Sequence, residues 1–233
     1  MLREWNQLPE YMQTDAVRPY YDQLKKKGFS LFLKRIFDIV VSLVLIVLLS
    51  PLLLVLSILI VLDSKGGVFY RQERVTQYGR KFRIFKFRTM VANADKIGTQ
   101  VTVSNDSRIT RVGAVIRKYR LDEIPQLFNI LLGDMSLVGT RPESTHYVKH
   151  YAPEMFATLL LPAGVTSEAS IKYKDEAELL NKADDVDKVY IEKVLPGKME
   201  YNLESISNFS FIKDIGTMFK TVVAVIRLSL IHI

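Results

Sequence analysis

The dominant hydrophobic feature of the 233-residue chain is an uncharged run from Ile39 to Leu62. A helix rises about 1.5 Å per residue, so this run is long enough to cross a hydrocarbon core of about 30 Å. Two features nevertheless favour a re-entrant hairpin, which enters and leaves by the same leaflet. Pro51 follows Ser50 in the middle of the run and would kink the helix there. Basic residues flank both ends, so the positive-inside rule would put both ends in the cytoplasm. A straight span and a hairpin both remain open.

Two stretches after this run have the composition of short strands. The first is "VFYRQERV", which lies between turn-forming glycines, and the second is "KFRIFKFRTM", residues 81–90. In strand geometry, one face of the second stretch carries Phe82, Ile84, Lys86 and Arg88. The two cations, Lys86 and Arg88, are compatible with an edge strand whose long side chains reach solvent. They are equally compatible with a strand that lines a phosphate-binding site.

Helical patterns account for most of the remaining chain. We predict a helix near 110–119 and another in the following segment, which ends at the C-cap glycine Gly133. Two further helices are predicted over 145–160 and over 176–195. The stretch "GDMSLVGTRPE" is interpreted as a loop that presents Arg141.

The C-terminal segment 205–231 predicts a long amphipathic helix. Lys213, Lys220 and Arg227 recur every seven residues, opposite an apolar face. Such a helix either lies in a membrane interface or covers a soluble core. The nearby membrane segment favours the interface.

Charge limits the class of partner. The chain carries 32 Lys and Arg against 25 Asp and Glu, a formal net charge of +7. This excess favours nucleic acid, an anionic membrane surface or phosphorylated substrates. No nucleic-acid-binding motif accompanies the basic residues, which argues against nucleic acid. The absence of cysteine excludes a disulfide framework, a thiolate nucleophile and a cysteine-type zinc site.

The stretch most suggestive of chemistry is "YRLDEIPQLFNILLGDMSLVG", in which Asp122 and Glu123 are adjacent. One interpretation is structural, because carboxylates at a helix N-terminus cap its first turn and complement its dipole. The other is catalytic, because a carboxylate can attack phosphorus and a neighbouring one can hold Mg²⁺ against phosphate oxygens. Nearby cations that can neutralise phosphate favour the catalytic interpretation; these are Arg117, Arg120 and Arg141.

Three segments together resemble the bacterial sugar transferases of the monotopic phosphoglycosyl transferase superfamily. They are "LLSPLLL", "GGVFYRQERVTQYGRKFRIFKFRTM" and "RITRVGAVIRKYRLDEIPQLFNILLGDMSLVGTRPE", in the order found in that family. The resemblance covers about residues 34–230. Thr140 stands where the family usually has proline, and Ala163 and Ser167 stand where it often has proline and glycine.

The resemblance implies an α/β fold that is mostly α. It implies a re-entrant membrane helix broken at Ser50-Pro51, a small cytoplasmic catalytic domain with short strands, and interfacial amphipathic helices. We therefore divide the chain into an N-terminal cytoplasmic extension (1–33), the re-entrant helix (34–63), the catalytic domain (64–204) and an amphipathic interfacial helix (205–233). The implied location is the cytoplasmic face of the bacterial inner membrane, and the oligomeric state is left open.

The resemblance also implies a reaction, the transfer of a sugar-1-phosphate from a nucleotide sugar, usually a UDP-sugar, to polyprenyl phosphate. In the family this step initiates capsule, O-antigen, exopolysaccharide or glycoprotein glycan assembly. Asp122 corresponds to the nucleophile that attacks the β-phosphate and releases UMP, and Glu123 to the Mg²⁺ ligand. Arg141 corresponds to a phosphate contact, and Lys86 and Arg88 to further members of the site. The intact pair of carboxylates argues against a non-catalytic membrane adaptor.

Overall fold

The computed structural model describes residues 2–94, 106–173 and 185–231, and residues 225–231 by their backbone only. In these ranges the helices are α1 (Arg18–Lys25), α2 (Gly28–Asp63), α3 (Arg111–Lys118), α4 (Gln126–Leu132), α5 (Thr145–Val148), α6 (Glu168–Lys172), α7 (Val186–Val189), α8 (Leu195–Ser207) and α9 (Phe211–Ile231). The strands are β1 (Phe69–Val75), β2 (Lys81–Phe87), β3 (Met135–Val138) and β4 (Ala163–Thr166). The prediction of an α/β fold that is mostly α is confirmed.

The long apolar segment forms one 36-residue helix, α2, with Pro51 inside it. Pro51 has no N–H to donate to the carbonyl of Val47, four residues earlier. The hydroxyl of Ser50 donates to that carbonyl instead, at 2.8 Å. Ser50 therefore supplies the hydrogen bond that the proline removes. The helix continues through Ser50 and Pro51. A re-entrant turn at this point would therefore be a bend within one continuous helix and not a break between two helices.

Both ends of α2 are attached to the same domain. Near the N-terminal end, Arg35 donates to the carbonyls of Ile130 (2.7 Å) and Leu131 (3.2 Å) at the end of α4. At the C-terminal end, the Asp63 carboxylate accepts the N–H of Val112 in α3 at 2.9 Å. Arg35 and Asp63 would lie about 40 Å apart along a straight helix. The two attachments hold both ends of α2 to one domain, which favours the hairpin over the straight span.

The outer face of α2 is apolar and exposed. Among its exposed side chains are Val40, Leu43, Val44, Val47, Leu48, Leu54, Val55, Ile58 and Leu62. In the described part of the chain, α2 is the one helix that is long and apolar enough to cross a membrane. A soluble protein rarely exposes so continuous an apolar surface, which points to a lipid or protein partner for it.

The N-terminal residues preceding α2 pack as a layer of the catalytic domain. Leu8, Met12, Val17, Tyr21 and Leu24 are buried in the largest hydrophobic cluster. Their partners in that cluster include α8 and the 3₁₀ helix Pro153–Leu160. The sequence offered no motif here, and the extension proves to be part of the domain core.

The strands predicted in "VFYRQERV" and in residues 81–90 are confirmed as the antiparallel hairpin β1–β2. The loop predicted around Arg141 contains a strand, because β3 pairs in parallel with β4. All four β3 residues are buried, so β3 lacks the alternation that marks a half-exposed strand in sequence.

The predicted helices agree in part with the structure. The helix near 110–119 is confirmed as α3, and Gly133 caps α4 with a positive φ of 84°. The helix predicted over 145–160 is instead α5 followed by the 3₁₀ helix Pro153–Leu160, because Ala152 before Pro153 is extended. Of the helix predicted over 176–195, residues 176–184 lie outside the described residues, and the remainder is helical from Val186.

The predicted C-terminal amphipathic helix corresponds to the end of α8 and to α9. Lys213 and Lys220 are exposed as expected, and Arg227 lies outside the described side chains. The apolar side of α9 is also largely exposed, including Ile212, Phe219, Val222 and Val223. A helix that covered a soluble core would bury these side chains, so the interfacial interpretation is the better supported one.

Candidate active site

Asp122 and Glu123 lie in a 3₁₀ turn, Leu121–Glu123, between α3 and α4. The chain enters this turn through Arg120, whose backbone is left-handed, with a φ of 53°. The residue at the N-cap of α4 is Pro125, and α4 itself begins at Gln126. The position of Asp122 is therefore different from that of a capping residue, which weakens the structural interpretation of the pair.

Glu123 is held between two cations. Its Oε1 accepts a hydrogen bond from Lys86 Nζ at 3.0 Å and another from Arg141 Nη2 at 2.6 Å. The side chain is only 15% exposed. Burial by itself would raise the pKa of Glu123, but the charges and hydrogen bonds of Arg141 and Lys86 outweigh burial and hold that pKa well below its usual range.

Asp122 is in the opposite electrostatic state. Burial raises its pKa, and the neighbouring charge of Glu123 raises it further, while Lys86 and Arg117 oppose the shift. Within the described residues, no cation lies within ion-pairing distance of its carboxylate. A carboxylate that is more basic than usual and free of an ion pair is better suited to attack phosphorus than a paired one.

The two cations reach Glu123 from different strands. Lys86 lies near the end of β2, and Asn129 of α4 holds this strand in place. Asn129 Oδ1 accepts the N–H of Phe85 at 2.7 Å, and Asn129 Nδ2 donates to the carbonyl of Arg83 at 3.1 Å. Asn129 is fully buried. The buried amide thus sets the position of Lys86 relative to the turn that precedes α4.

Arg141 follows β3, where two glycines let the backbones approach closely. A Cβ on Gly164 would lie 2.1 Å from the backbone nitrogen of Gly139. The pairing continues past the strands, since Gly164 N–H donates to the carbonyl of Thr140 at 2.8 Å. This contact fixes the backbone immediately before Arg141.

The departures from the family pattern have local physical reasons at two positions. The N–H of Ala163, which a proline would lack, donates to Thr76 Oγ1 at 3.1 Å in a buried position. Ser167 is the N-cap of α6, where its Oγ accepts the N–H of Ser170 at 3.0 Å. Both residues add hydrogen bonds that the usual family residue could not make.

Arg88, another predicted site residue, is held at the C-terminal end of α2. Its guanidinium donates five hydrogen bonds to the C-terminal end of α2 and the residues that follow: to Ser64 Oγ and to the carbonyls of Ile60, Ser64, Lys65 and Gly67. Arg88 is 8% exposed. The backbone of residue 88 continues the pairing of the hairpin, since its N–H donates to the carbonyl of Val68 at 2.9 Å. Arg88 therefore caps the C-terminal end of α2, and its role as a phosphate contact stays a prediction.

Arg117 and Arg120 differ in how closely they approach the pair. Arg117 lies in the last turn of α3, and its charge lowers the pKa of Asp122. Arg120 is exposed, and in the described part of the chain its side chain makes no hydrogen bond or ion pair. The phosphate-binding roles of both residues stay predictions.

Glu123 can accommodate the predicted Mg²⁺ as a single carboxylate ligand. Its Oε1 is occupied by Lys86 and Arg141, and its second oxygen is left for a cation. No group of three His, Asp or Glu residues suited to a metal occurs in the described ranges. Mg²⁺ commonly uses one or two carboxylates together with substrate phosphates and water, which fits this donor set.

Comparison with known proteins decides the family. The model of the bacterial sugar transferase family matches residues 29–228. The chain belongs to this family. The match begins after the packed N-terminal residues, so the family pattern does not include that layer of the domain.

Several curated family relatives cover most of the chain. A UDP-N-acetylgalactosamine-undecaprenyl-phosphate N-acetylgalactosaminephosphotransferase of Aeromonas hydrophila is 40% identical over 82% of this chain and 43% of its own length. A UDP-glucose:undecaprenyl-phosphate glucose-1-phosphate transferase of Escherichia coli is 35% identical over 91% of this chain and 44% of its own length. The exopolysaccharide production protein PSS of Rhizobium leguminosarum is 35% identical over 83% of this chain and 95% of its own length. The chain thus spans less than half the length of the first two relatives.

Proposed function

We propose that the protein transfers a sugar-1-phosphate from a UDP-sugar to a polyprenyl phosphate at a membrane surface. The observation that carries the proposal is the contrast between two adjacent carboxylates. Glu123 is paired with Lys86 and Arg141, whereas Asp122 has a raised pKa and no cation within ion-pairing distance among the described residues. The names of the relatives describe transfer of sugar phosphates to undecaprenyl phosphate, which supports this class of reaction.

In the first step, an Asp122 carboxylate oxygen attacks the β-phosphorus of the donor. A new P–O bond forms, the bond to the α-phosphate oxygen breaks, and UMP leaves with the electron pair. The sugar phosphate is then held as an acyl phosphate on Asp122. Lys86 and Arg141 bind the neighbouring carboxylate of Glu123, and from there they would favour binding of the anionic donor and stabilise charge on the phosphoryl oxygens.

In the second step, an oxygen of the polyprenyl phosphate attacks the same phosphorus. The bond between phosphorus and Asp122 breaks, which returns the carboxylate and yields the polyprenyl diphosphosugar. Glu123, together with the substrate phosphates, would hold Mg²⁺, which supplies charge neutralisation on the phosphate oxygens. Glu123 also keeps Lys86 and Arg141 oriented toward the turn that carries Asp122.

The membrane arrangement that we propose is re-entrant, with the catalytic domain on the cytoplasmic face of the inner membrane. Supporting it are the two attachments of α2 to one domain, through Arg35 and Asp63, and the exposed apolar surfaces of α2 and α9. The two helices are neighbours, because the rings of Phe37 and Phe211 meet at 5.4 Å and Lys34 pairs with Asp214 at 2.7 Å. Their apolar surfaces can therefore enter one leaflet together.

Intact-protein mass spectrometry tests the covalent step. Purified protein mixed with Mg²⁺ and a panel of UDP-sugars, without lipid acceptor, is expected to gain the mass of one sugar phosphate with its own donor. UMP should appear in an amount equal to the adduct as the adduct forms, and addition of undecaprenyl phosphate should then return the protein to its unmodified mass. Failure of every donor in the panel to give either an adduct or lipid-dependent UMP would contradict the proposed function.

Single cysteines test the topology, since the chain has no cysteine of its own. Lys27→Cys and Lys65→Cys lie at exposed positions just outside the two ends of α2. Both are expected to react with a membrane-impermeant maleimide only when the cytoplasmic face is open to the reagent. Leu48→Cys, exposed in the middle of α2, is the matched control and should stay unlabelled from either side. Labelling of Lys27→Cys and Lys65→Cys from opposite sides would contradict the re-entrant arrangement and show that α2 crosses the membrane as a straight helix.

A further inference from the structure

A cleft lies at the end of β3, beside the backbone that leads to Arg141. Its open space is about 430 Å³, solvent at its mouth included, which is in the size range of small-molecule sites. The end of β3, the 3₁₀ helix Pro153–Leu160 and the helices α6, α8 and α9 all contribute to its wall. Five of its eleven lining residues carry a hydroxyl group: Thr140, Thr158, Ser167, Ser205 and Thr217.

A buried amide in this cleft lacks an oxygen or nitrogen partner. Asn202 of α8 lines the cleft and is only 4% exposed. Among the described residues its side chain makes one weak contact, from Nδ2 to the sulfur of Met199 at 3.8 Å. Buried amides are normally hydrogen-bonded, so one that lines a cleft without such a partner points to a bound ligand or water. An amide both donates and accepts, which suits a ligand with hydroxyl or acetamido groups.

The charge of the cleft disfavours phosphate. Its lining contains no Lys, Arg or His and one carboxylate, that of Glu168. Glu168 Oε1 accepts Thr217 Oγ1 at 2.9 Å and Lys220 Nζ at 2.8 Å, while its second oxygen makes no hydrogen bond in the described part of the chain. A carboxylate oxygen accepts hydrogen bonds from hydroxyl groups and repels phosphate. The cleft therefore suits the uncharged part of a nucleotide sugar better than its diphosphate.

Two further features favour the sugar over the base. No aromatic side chain lines the cleft, although proteins commonly hold a base by stacking it on an aromatic ring. The cleft also reaches the candidate active site, because Thr140 in its lining directly precedes Arg141, which binds the carboxylate next to Asp122. In a nucleotide sugar the sugar is bonded to the β-phosphate, which is the phosphate that Asp122 would attack. A sugar site is therefore expected close to Arg141.

We propose that this cleft binds the sugar of the nucleotide-sugar donor, with Asn202 and Glu168 as hydrogen-bonding partners of the sugar's polar groups. The inference rests on the proposed function and deepens it, since it names the part of the site that selects the donor. The carboxylates of the turn and their cations act on phosphates that all UDP-sugars share. Discrimination among sugars then belongs to the side chains of the cleft.

UDP and the UDP-sugar that forms the mass adduct are the two probes, because they differ by the sugar. Their affinities are measured by calorimetry with Mg²⁺ on the full-length protein in an Asp122→Asn background, so that the donor is not consumed. Asn202→Leu, which removes the amide at similar size, is expected to weaken binding of the UDP-sugar about tenfold and to leave binding of UDP unchanged. Thr140→Val, which removes one hydroxyl, should weaken binding of the UDP-sugar alone, by a smaller factor.

Asn208→Leu is the matched control. It is the same substitution at the C-cap of α8, at an exposed position outside the cleft. Its affinities for UDP and for the UDP-sugar should equal those of the Asp122→Asn parent. Thermal midpoints of all variants show whether a change in affinity accompanies a loss of folded protein.

The possible results separate the sugar site from the proposed function. If folded Asn202→Leu binds the UDP-sugar as tightly as the parent does, the cleft is not the sugar site, and the proposed function stands. If binding of UDP falls by the same factor as binding of the UDP-sugar, the cleft holds the nucleoside, which also overturns the assignment. If no UDP-sugar binds to the parent or forms an adduct with wild type, the proposed function fails and the sugar site fails with it. If Asn202→Leu does not fold, the same comparison with Thr140→Val decides.

Discussion

Replacing Asp122 by asparagine is expected to abolish turnover without unfolding the protein. Asparagine has nearly the same shape as aspartate, but its neutral amide cannot form the bond to phosphorus. Removal of a nucleophile commonly costs a factor of about 10⁴ or more in turnover. The measurement is nucleotide release from the active UDP-sugar in the presence of undecaprenyl phosphate and Mg²⁺, with the mass adduct followed in parallel. Turnover at the wild-type rate in this variant would remove Asp122 from the role of nucleophile.

The same variant is expected to be at least as stable as wild type at pH 8. Burial raises the folded-state pKa of Asp122 above its ordinary value of 3.8, so the folded protein favours the protonated form. The ionised carboxylate therefore lowers the free energy of unfolding at pH values above both the unfolded and folded pKa values. This loss disappears as the pH falls below the unfolded value. The advantage of Asp122→Asn should accordingly shrink on acidification, as measured by denaturant unfolding in detergent.

Glu123→Gln is the matched control and should behave in the opposite way. The folded-state pKa of Glu123 lies below its ordinary value of 4.5, so its ionised form stabilises the folded protein above that pH. Glu123→Gln is therefore expected to be less stable than wild type at neutral pH, because Lys86 and Arg141 lose their shared partner. The difference should diminish as the pH falls through 4.5 toward the lower folded-state value. Equal pH profiles for the two variants would contradict the electrostatic contrast between the carboxylates.

Replacing Arg88 by methionine is expected to produce the largest loss of stability among the variants considered. The change removes five hydrogen bonds at the end of α2, one of them buried and four partly buried, and with them a charge that is itself only 8% exposed. Each unsatisfied buried group costs about 1–3 kcal/mol, and removal of one partner from a buried charged network costs about 3–5 kcal/mol. For a domain of this size, such a loss lowers the thermal midpoint by about 10 °C. The midpoint can be followed by circular dichroism in detergent.

Arg83→Met provides the comparison for that experiment. Arg83 lies in β2, five residues before Arg88, and its side chain is exposed. Its replacement should change the free energy of unfolding by no more than about 0.5 kcal/mol. If Arg88→Met keeps the wild-type midpoint but binds UDP weakly, Arg88 belongs to the phosphate site after all, and its assignment as a cap on α2 is wrong.

Lys86 and Arg88 of the sequence motif "KFRTM" make different contacts in the folded protein. Two cations separated by one residue suggest a single charged face. In the folded protein Lys86 contacts the carboxylate of Glu123, while Arg88 donates to Ser64 at the end of α2. The motif therefore connects the candidate site to the C-terminal end of α2.

The sequence by itself determined the features that depend on local chemistry. The length and apolar character of α2, the Ser50-Pro51 step, the strands of the hairpin and the adjacency of Asp122 and Glu123 are all properties of short segments. The family membership follows from motifs of the same kind, and the match over residues 29–228 confirms it. The covalent intermediate, the donor and the metal remain predictions that the experiments above address.

The tertiary structure alone decided which charges meet. Lys86 and Arg141 are 55 positions apart in the chain, and only the packing of β2 and β3 around the dyad brings both to one oxygen of Glu123. Arg88 donates five hydrogen bonds at the end of α2, a set of partners that its spacing from Lys86 does not predict. The N-terminal layer likewise became visible only through the core that it completes. Pairing across the chain depends on the summed packing of many elements, and no local pattern encodes that sum.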